Sequence, residues 1–398
     1  MKAFKFLLIF FFVTVGILGM VIGLNWTAFK VVFSDPETFS EGSEWIETTY
    51  SLAGLVEYIE ANPQHVSLVS LNLTNPEESI LYNEHEPRVM GALSNIFLLM
   101  EFERQRESGE LNPDQLINKH DIDAFVVPSW YENAYRNAMR HVEAENNQIR
   151  LEDLLPLVSQ HYSQAVSDWM FFFLGPENVN ALVDSLGQGA VEPWIPGSGI
   201  QLAVTMRDDE LSVREAIARL KELPINERAQ YFYDSSLRFA QDETIRNEVR
   251  ERTRPIRERL LADERAIHGL LSKAEPLRLT EIMAMIYQNE FLSTEASQRI
   301  LSLFAWAYED PVVRQHSSDY GALFDSRLSY LTGMDAGTSA YTGESFAQTL
   351  FFDNLPVAFY MHMSSNYMNQ DLQRRLIYDP ELRRISTLAS QQQLTPNN

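Results

Sequence analysis

A serine hydroxyl becomes a useful nucleophile only when a base takes its proton, and a lysine one helical turn further on is a compact way to supply that help. No serine in these 398 residues is followed three positions later by a lysine, and the chain holds six lysines in all. Ser94, Ser159 and Ser163 remain as candidate nucleophiles, with Tyr162 beside the last of them as a candidate base. Cysteine is absent, which excludes a thiolate nucleophile, a disulfide and a Cys-ligated zinc. The eight histidines show no H-E-x-x-H or other ligand spacing, so no metal and no other cofactor is expected.

These residues sit among recognisable elements. Residues 45–63 carry Leu52, Leu55, Val56 and Ile59 on one helical face. "HVSLVSLNL" and "SILYNEHEP" are spaced as two strands around the turn "TNPEES". "VMGALSNIFLLMEF" opens a buried helix that Gly109 stops. Residues 113–150 mix loops with short helices, and "LEDLLPLVSQHYSQAVSDWMFFFLG" is helical at both ends. Residues 207–275 interleave both charge signs with apolar residues at helical steps, the pattern of exposed amphipathic helices. Towards the C-terminus "SRLSYLTG", "ESFAQTLFFD" and "PVAFYMHM" are expected as strands, followed by a last helix from about "NQDLQRRL". Strands, many helices, strands again and a closing helix make an α+β arrangement, a mixed or antiparallel sheet covered by helices.

Three of these segments resemble the serine β-lactamases and related penicillin-recognising hydrolases. That family is marked by S-x-x-K at the start of a buried helix, S-D-N or Y-x-N between helices, and K-T-G on a strand. "PRVMGALSNIFLLMEFERQRESGEL" resembles the first-motif helix, and Gly109 follows Ala92 by seventeen positions, the family's usual interval from nucleophile to that glycine. The resemblance therefore puts Ala92 in the nucleophile's slot and Asn95 in the lysine's. "IRLEDLLPLVSQHYSQAVSDWMFFFLGPENVNALVDSLG" resembles the second-motif region, and counting back thirteen from Gly175 puts Tyr162-Ser163-Gln164 on that motif. "LRLTEIMAMIYQNEFLSTEASQRILSLF" resembles the helix pair before the third motif, and "YLTGMDAG" then puts Leu331-Thr332-Gly333 where K-T-G belongs. Glu192-Pro193 is similar to the loop that carries the water-activating glutamate of class A enzymes, as a two-residue match. The resemblance covers residues 45–380 apart from the charged stretch.

What it implies is a β-lactamase-like fold whose working atoms are gone: the hydroxyl at 92, the amine at 95 and the lysine of the third motif. Such a pseudoenzyme would bind or regulate rather than acylate, and losing a nucleophile removes several orders of magnitude in rate. Tyr162 fits a pocket phenol or a core phenol with its hydroxyl satisfied equally well. The other reading is an active serine hydrolase of β-lactam, peptide or ester bonds that has relocated its nucleophile to Ser94, Ser159 or Ser163.

Partners and place follow from charge and hydropathy. The net charge of −23 argues against nucleic acid. Phe6 to Leu24 carries no charge, long enough for a transmembrane helix, and no A-x-A-like cleavage site follows. Lys2 and Lys5 precede this signal anchor, which keeps residues 1–5 cytoplasmic and the main domain periplasmic or extracellular. The expected organisation is an anchor over 6–26, a linker over 27–44 and a domain over 45–398 with a helical insertion at 207–275. A peptide or protein partner at the cleft or at the insertion fits a site without a cation.

Overall fold

The computed structural model describes Thr14 and residues 36–49, 52–128, 131–256, 261–304, 322–328, 333–339, 342–353, 355–366, 368–377, 379 and 382. Apart from Thr14, the apolar run of the expected anchor lies outside the described residues. Among the described residues no helix is long and apolar enough to cross a membrane.

Helices α1 (Pro36–Ser40), α2 (Ser43–Thr48) and α3 (Leu52–Ala61) come first, then strands β1 (Val66–Asn72), β2 (Ile80–Tyr82) and β3 (Arg88–Val89). Helix α4 (Asn95–Ser108) is followed by β4 (Leu116–Asn118), α5 (Lys119–Asp123), α6 (Tyr131–Ala138) and β5 (Gln148–Arg150). Then come α7 (Leu155–Ser159), α8 (Gln164–Leu174), α9 (Pro176–Gly187) and α10 (Gly197–Thr205). The mixed-charge stretch forms α11 (Val213–Glu222), α12 (Ile225–Gln241), α13 (Glu243–Ile256) and α14 (Leu261–His268). After β6 (Lys273–Ala274) the chain builds α15 (Pro276–Tyr287), α16 (Thr294–Phe304), β7 (Ala322–Leu328), β8 (Gly333–Ser339), β9 (Ser345–Phe352), α17 (Val357–Ser365) and α18 (Met368–Leu376).

The main sheet runs β2-β1-β9-β8-β7, and every neighbouring pair is antiparallel. Side chains alternate across a strand, so each face of this sheet gathers its own core. Val66, Leu68, Leu350 and Phe352 pack on one face with Leu55 and Ile59 of α3 and Phe359 and Met363 of α17. Met334, Ala336, Ala347 and Phe351 pack on the other with Leu279, Ile282 and Met283 of α15 and with α4. Helix α4 is buried from Asn95 through Glu103, which explains why apolar residues occur on all its sides rather than along one stripe.

One expected strand is corrected, and one strand was not expected. Residues 357–363 are helical: Phe359 and Met363, four apart, are wholly buried while Tyr360 and Met361 are 45% exposed, which is a 3.6-residue period. The missing sheet member is "GMDAGTS", the strand β8, whose glycines and aspartate are poor strand formers alone. Its pairing with β7 and β9 on both edges decides the matter. The expected linker is helical over its second part, where the Ala358 N–H donates to the Glu41 carbonyl at 3.1 Å and Gly42 lies against Pro356.

Candidate functional site

Helix α4 begins behind a short 3₁₀ turn, Gly91–Ser94, and Gly91 takes φ +54°, a left-handed conformation suited to glycine. This turn presents Ala92 and Ser94 to a cavity of about 250 Å³. Tyr162 and Gln164 line the same cavity, as does Asn95. The structure thus brings together four of the positions singled out by the first two motifs.

Each has a physical reason for its place. The Asn95 amide is buried and donates from Nδ2 to the Val158 carbonyl at 3.0 Å, tying α4 to α7. Tyr162 holds φ +46°, a conformation that bulky residues adopt at a strain of order 1–3 kcal/mol and that clusters at functional sites. It sits in a tight reversal between α7 and α8, closed by the Ser163 N–H donating to the Leu157 carbonyl at 2.8 Å. Gly197 has no side chain to collide with the Gln164 amide packed against it.

Other expected positions fall elsewhere. Ser163 is buried beside the cavity wall rather than in its lining, and its hydroxyl has no hydrogen-bond partner among the described residues. Ser159 is fully buried, outside the lining, and donates to the Leu155 carbonyl at 3.2 Å, an ordinary helix-internal bond. Ser94 reaches the cavity, with its hydroxyl donating to the Gly91 carbonyl at 2.8 Å. Glu192 is not in the lining; it clips its loop to β6, accepting the Lys273 N–H on Oε2 at 2.9 Å. Leu331 and Thr332 lie outside the described residues, and Gly333 opens β8 away from the lining.

The cavity has a second half that the motifs do not mark. Asp168 on α8 is fully buried and accepts the backbone N–H groups of Gly197 at 3.0 Å and Ser198 at 2.7 Å. Burial pushes its carboxyl up to about 7, against the lowering pull of the Ser198 hydroxyl and those two N–H groups. Ser167 and Trp194 line the cavity too, and neither the Ser167 hydroxyl nor the Trp194 indole N–H has a partner among the described residues. Ile267, His268 and Leu271, from the end of the charged insertion, line the cavity as well. One sequence signal marks these residues: a serine and an aspartate, Ser167 and Asp168, inside the otherwise apolar run 165–174.

Trp194 is held firmly. Its backbone N–H donates to Asn180 Oδ1 at 2.9 Å, its carbonyl accepts the Tyr233 hydroxyl at 2.7 Å, and its ring stacks on Phe171 at 4.4 Å. Nearby, His161 stacks on His141 at 4.2 Å, and burial followed by the neighbouring imidazole lowers its pKa. Among the described residues no lysine or arginine lines the cavity, and no group of three or more histidines and carboxylates could hold a metal ion.

No protein-family profile and no curated protein matches the chain. Among solved structures, a β-lactamase from Chitinophaga pinensis aligns at 14% identity over 83% of this chain and 98% of its own, with a TM-score of 0.48. A β-lactamase from Burkholderia vietnamiensis aligns at 10% identity over 80% and 94%, with a TM-score of 0.47. One from Sphaerobacter thermophilus aligns at 13% identity over 81% and 97%, with a TM-score of 0.45. Over about four-fifths of its length, then, this chain is similar to solved β-lactamases.

Proposed function

We propose that this protein is a membrane-anchored, extracytoplasmic pseudoenzyme of β-lactamase-like architecture that binds a ligand at the cell envelope without forming an acyl-enzyme. One observation carries the proposal: Ala92 stands in the cavity wall with Tyr162 and Gln164, so the slot that the family motif assigns to the nucleophile holds a methyl group. A methyl cannot attack a carbonyl. The amide of Asn95, one helical turn on, is engaged with the Val158 carbonyl and supplies no base.

The second reading keeps a specific support, because Ser94 lines the same cavity. Against it stands the bond from its hydroxyl to the Gly91 carbonyl, with no lysine in the lining among the described residues to take its proton. The partner class remains part of the proposal: a peptide or protein segment entering between Tyr162 and the insertion's Ile267–Leu271 wall.

The test treats full-length protein in its membrane with nitrocefin, a fluorescent penicillin and a fluorophosphonate. No turnover and no labelled serine are expected. A label on Ser94, Ser159 or Ser163 would establish the relocated nucleophile instead. Carbonate extraction of the same membranes tests the anchor, which should leave the protein in the pellet.

A further inference from the structure

The cavity combines features that a dry apolar pocket would not need. Trp194 and Ser167 are 2% and 4% exposed, line the cavity, and keep an indole N–H and a hydroxyl without partners among the described residues. Buried polar groups are nearly always satisfied, so two such atoms on one cavity ask for an occupant. The Trp194 backbone and ring are already fixed by Asn180, Tyr233 and Phe171, which leaves the indole N–H as its one unspent donor. Asp168 accepts one backbone N–H on each carboxylate oxygen and also interacts with the Ser198 hydroxyl, which leaves about one of a carboxylate's roughly four acceptor positions.

The chemistry narrows the occupant. An anion would enter without a counter-charge, because no lysine or arginine lines the cavity among the described residues and Asp168 does. A pure hydrocarbon would suit Ile195, Ile200, Ile267 and Leu271 and leave the indole and hydroxyl unpaired. A neutral amide answers all of these. Its carbonyl oxygen can accept two hydrogen bonds and its N–H can donate one. At about 250 Å³ the space is smaller than drug-sized pockets usually are, so it admits a group the size of one side chain.

We propose that Trp194, Ser167 and Asp168 form a subsite for an uncharged amide: the indole N–H and the Ser167 hydroxyl donate to its carbonyl, and the Asp168 carboxylate accepts its N–H. The subsite rests on the proposal that the cavity holds a ligand without turning it over. Its three residues are none of those that the family motifs mark.

The test follows the indole N–H resonances of the full chain, isotope-labelled on its six tryptophans and held in detergent, with Trp194→Phe identifying the one that matters. The probes are N-acetyl-leucinamide and N-acetyl-leucine, alike in shape and different in charge. The amide should shift the Trp194 resonance in a saturable way, and the carboxylate should need at least about tenfold more. Ser167→Ala should weaken the amide about three- to tenfold. The same variant should leave the unfolding midpoint of the empty protein unchanged or raised, since its hydroxyl has no partner to lose. A Trp194 resonance unmoved at the solubility limit of the amide, or moved equally by both probes, overturns the subsite. A serine label from the preceding experiment would sink the pseudoenzyme proposal while leaving this reversible titration intact.

Discussion

Asp168 holds the first turn of α10: its Oδ2 accepts the Ser198 N–H at 2.7 Å while Oδ1 accepts the Gly197 N–H at 3.0 Å. A carboxylate at a helix N-terminus is favourable by charge, since the unpaired N–H groups there carry partial positive charge. Full burial opposes it and wins, raising the carboxyl from 3.8 to about 7. The folded protein therefore binds this proton more tightly than the unfolded chain does. The resulting stability is fully present below 3.8, falls as pH rises towards about 7, and is level above that. At about 1.4 kcal/mol per pH unit the loss is up to about 4 kcal/mol. Asp168→Asn removes the titration, so unfolding free energies of wild type and variant should diverge between pH 4 and pH 7 and run parallel above pH 8. Parallel curves over the whole range would show that Asp168 does not titrate there.

Gly199 lies where α10 crosses α12, and a Cβ at that position would overlap the carbonyl of Phe232. The obstacle is backbone, which cannot swing aside as a side chain would. Gly199→Ala should therefore destabilise by about 3 kcal/mol, at the upper end of overpacking effects. Gly91 makes the contrast. A Cβ there meets nothing within 4 Å, but φ is +54°, so Gly91→Ala should lose about 1 kcal/mol through backbone strain alone. Urea unfolding of the two variants should keep that order.

How far these features could be read from residues alone depends on how local their causes are. The burial of α4 and its stop at Gly109 were legible, because a run of apolar residues and a left-handed glycine are local signals. Ala92 and Tyr162 line one cavity, and their spacings to Gly109 and Gly175 are readable in the sequence. The strand β8 was not legible, because its glycine-rich residues are held extended by β7 and β9 rather than by their own propensity. The alternation in "PVAFYMHM" misled for a related reason. Eight residues cannot separate a strand from a helix until the partner of Phe359 and Met363 is known. Trp194, Asp168 and the insertion's Ile267 meet only through the fold, and 99 positions of chain separate Asp168 from Ile267.

Asn95 offers a check on whether the position that the proposed function matches to the family's lysine has a structural duty. Its Nδ2 bond to the Val158 carbonyl is buried, so Asn95→Ala leaves that carbonyl unpaired and should destabilise by about 1–3 kcal/mol. Thermal unfolding measures this directly. A neutral result would mean that the carbonyl is satisfied by water from the cavity and that Asn95 is free for ligand contact.

If the proposed function holds, a hydroxyl placed at residue 92 alone should not give chemistry. Groups that act as a unit are strongly non-additive, and a nucleophile without its base gains little over none at all. Ala92→Ser places a hydroxyl in the cavity wall, but one turn on it meets the neutral amide of Asn95. No labelling by a fluorescent penicillin above the wild-type background is expected from this single variant. Ala92→Ser combined with Asn95→Lys supplies both members, at the cost of the Val158 bond and of burying an amine. If the folded double variant then labels at residue 92 faster than the single one, by the ~100-fold or more that a positioned base contributes, both slots are assigned correctly. A folded double variant that stays unlabelled argues that the scaffold around Ala92 does not bring a substrate carbonyl within reach of residue 92.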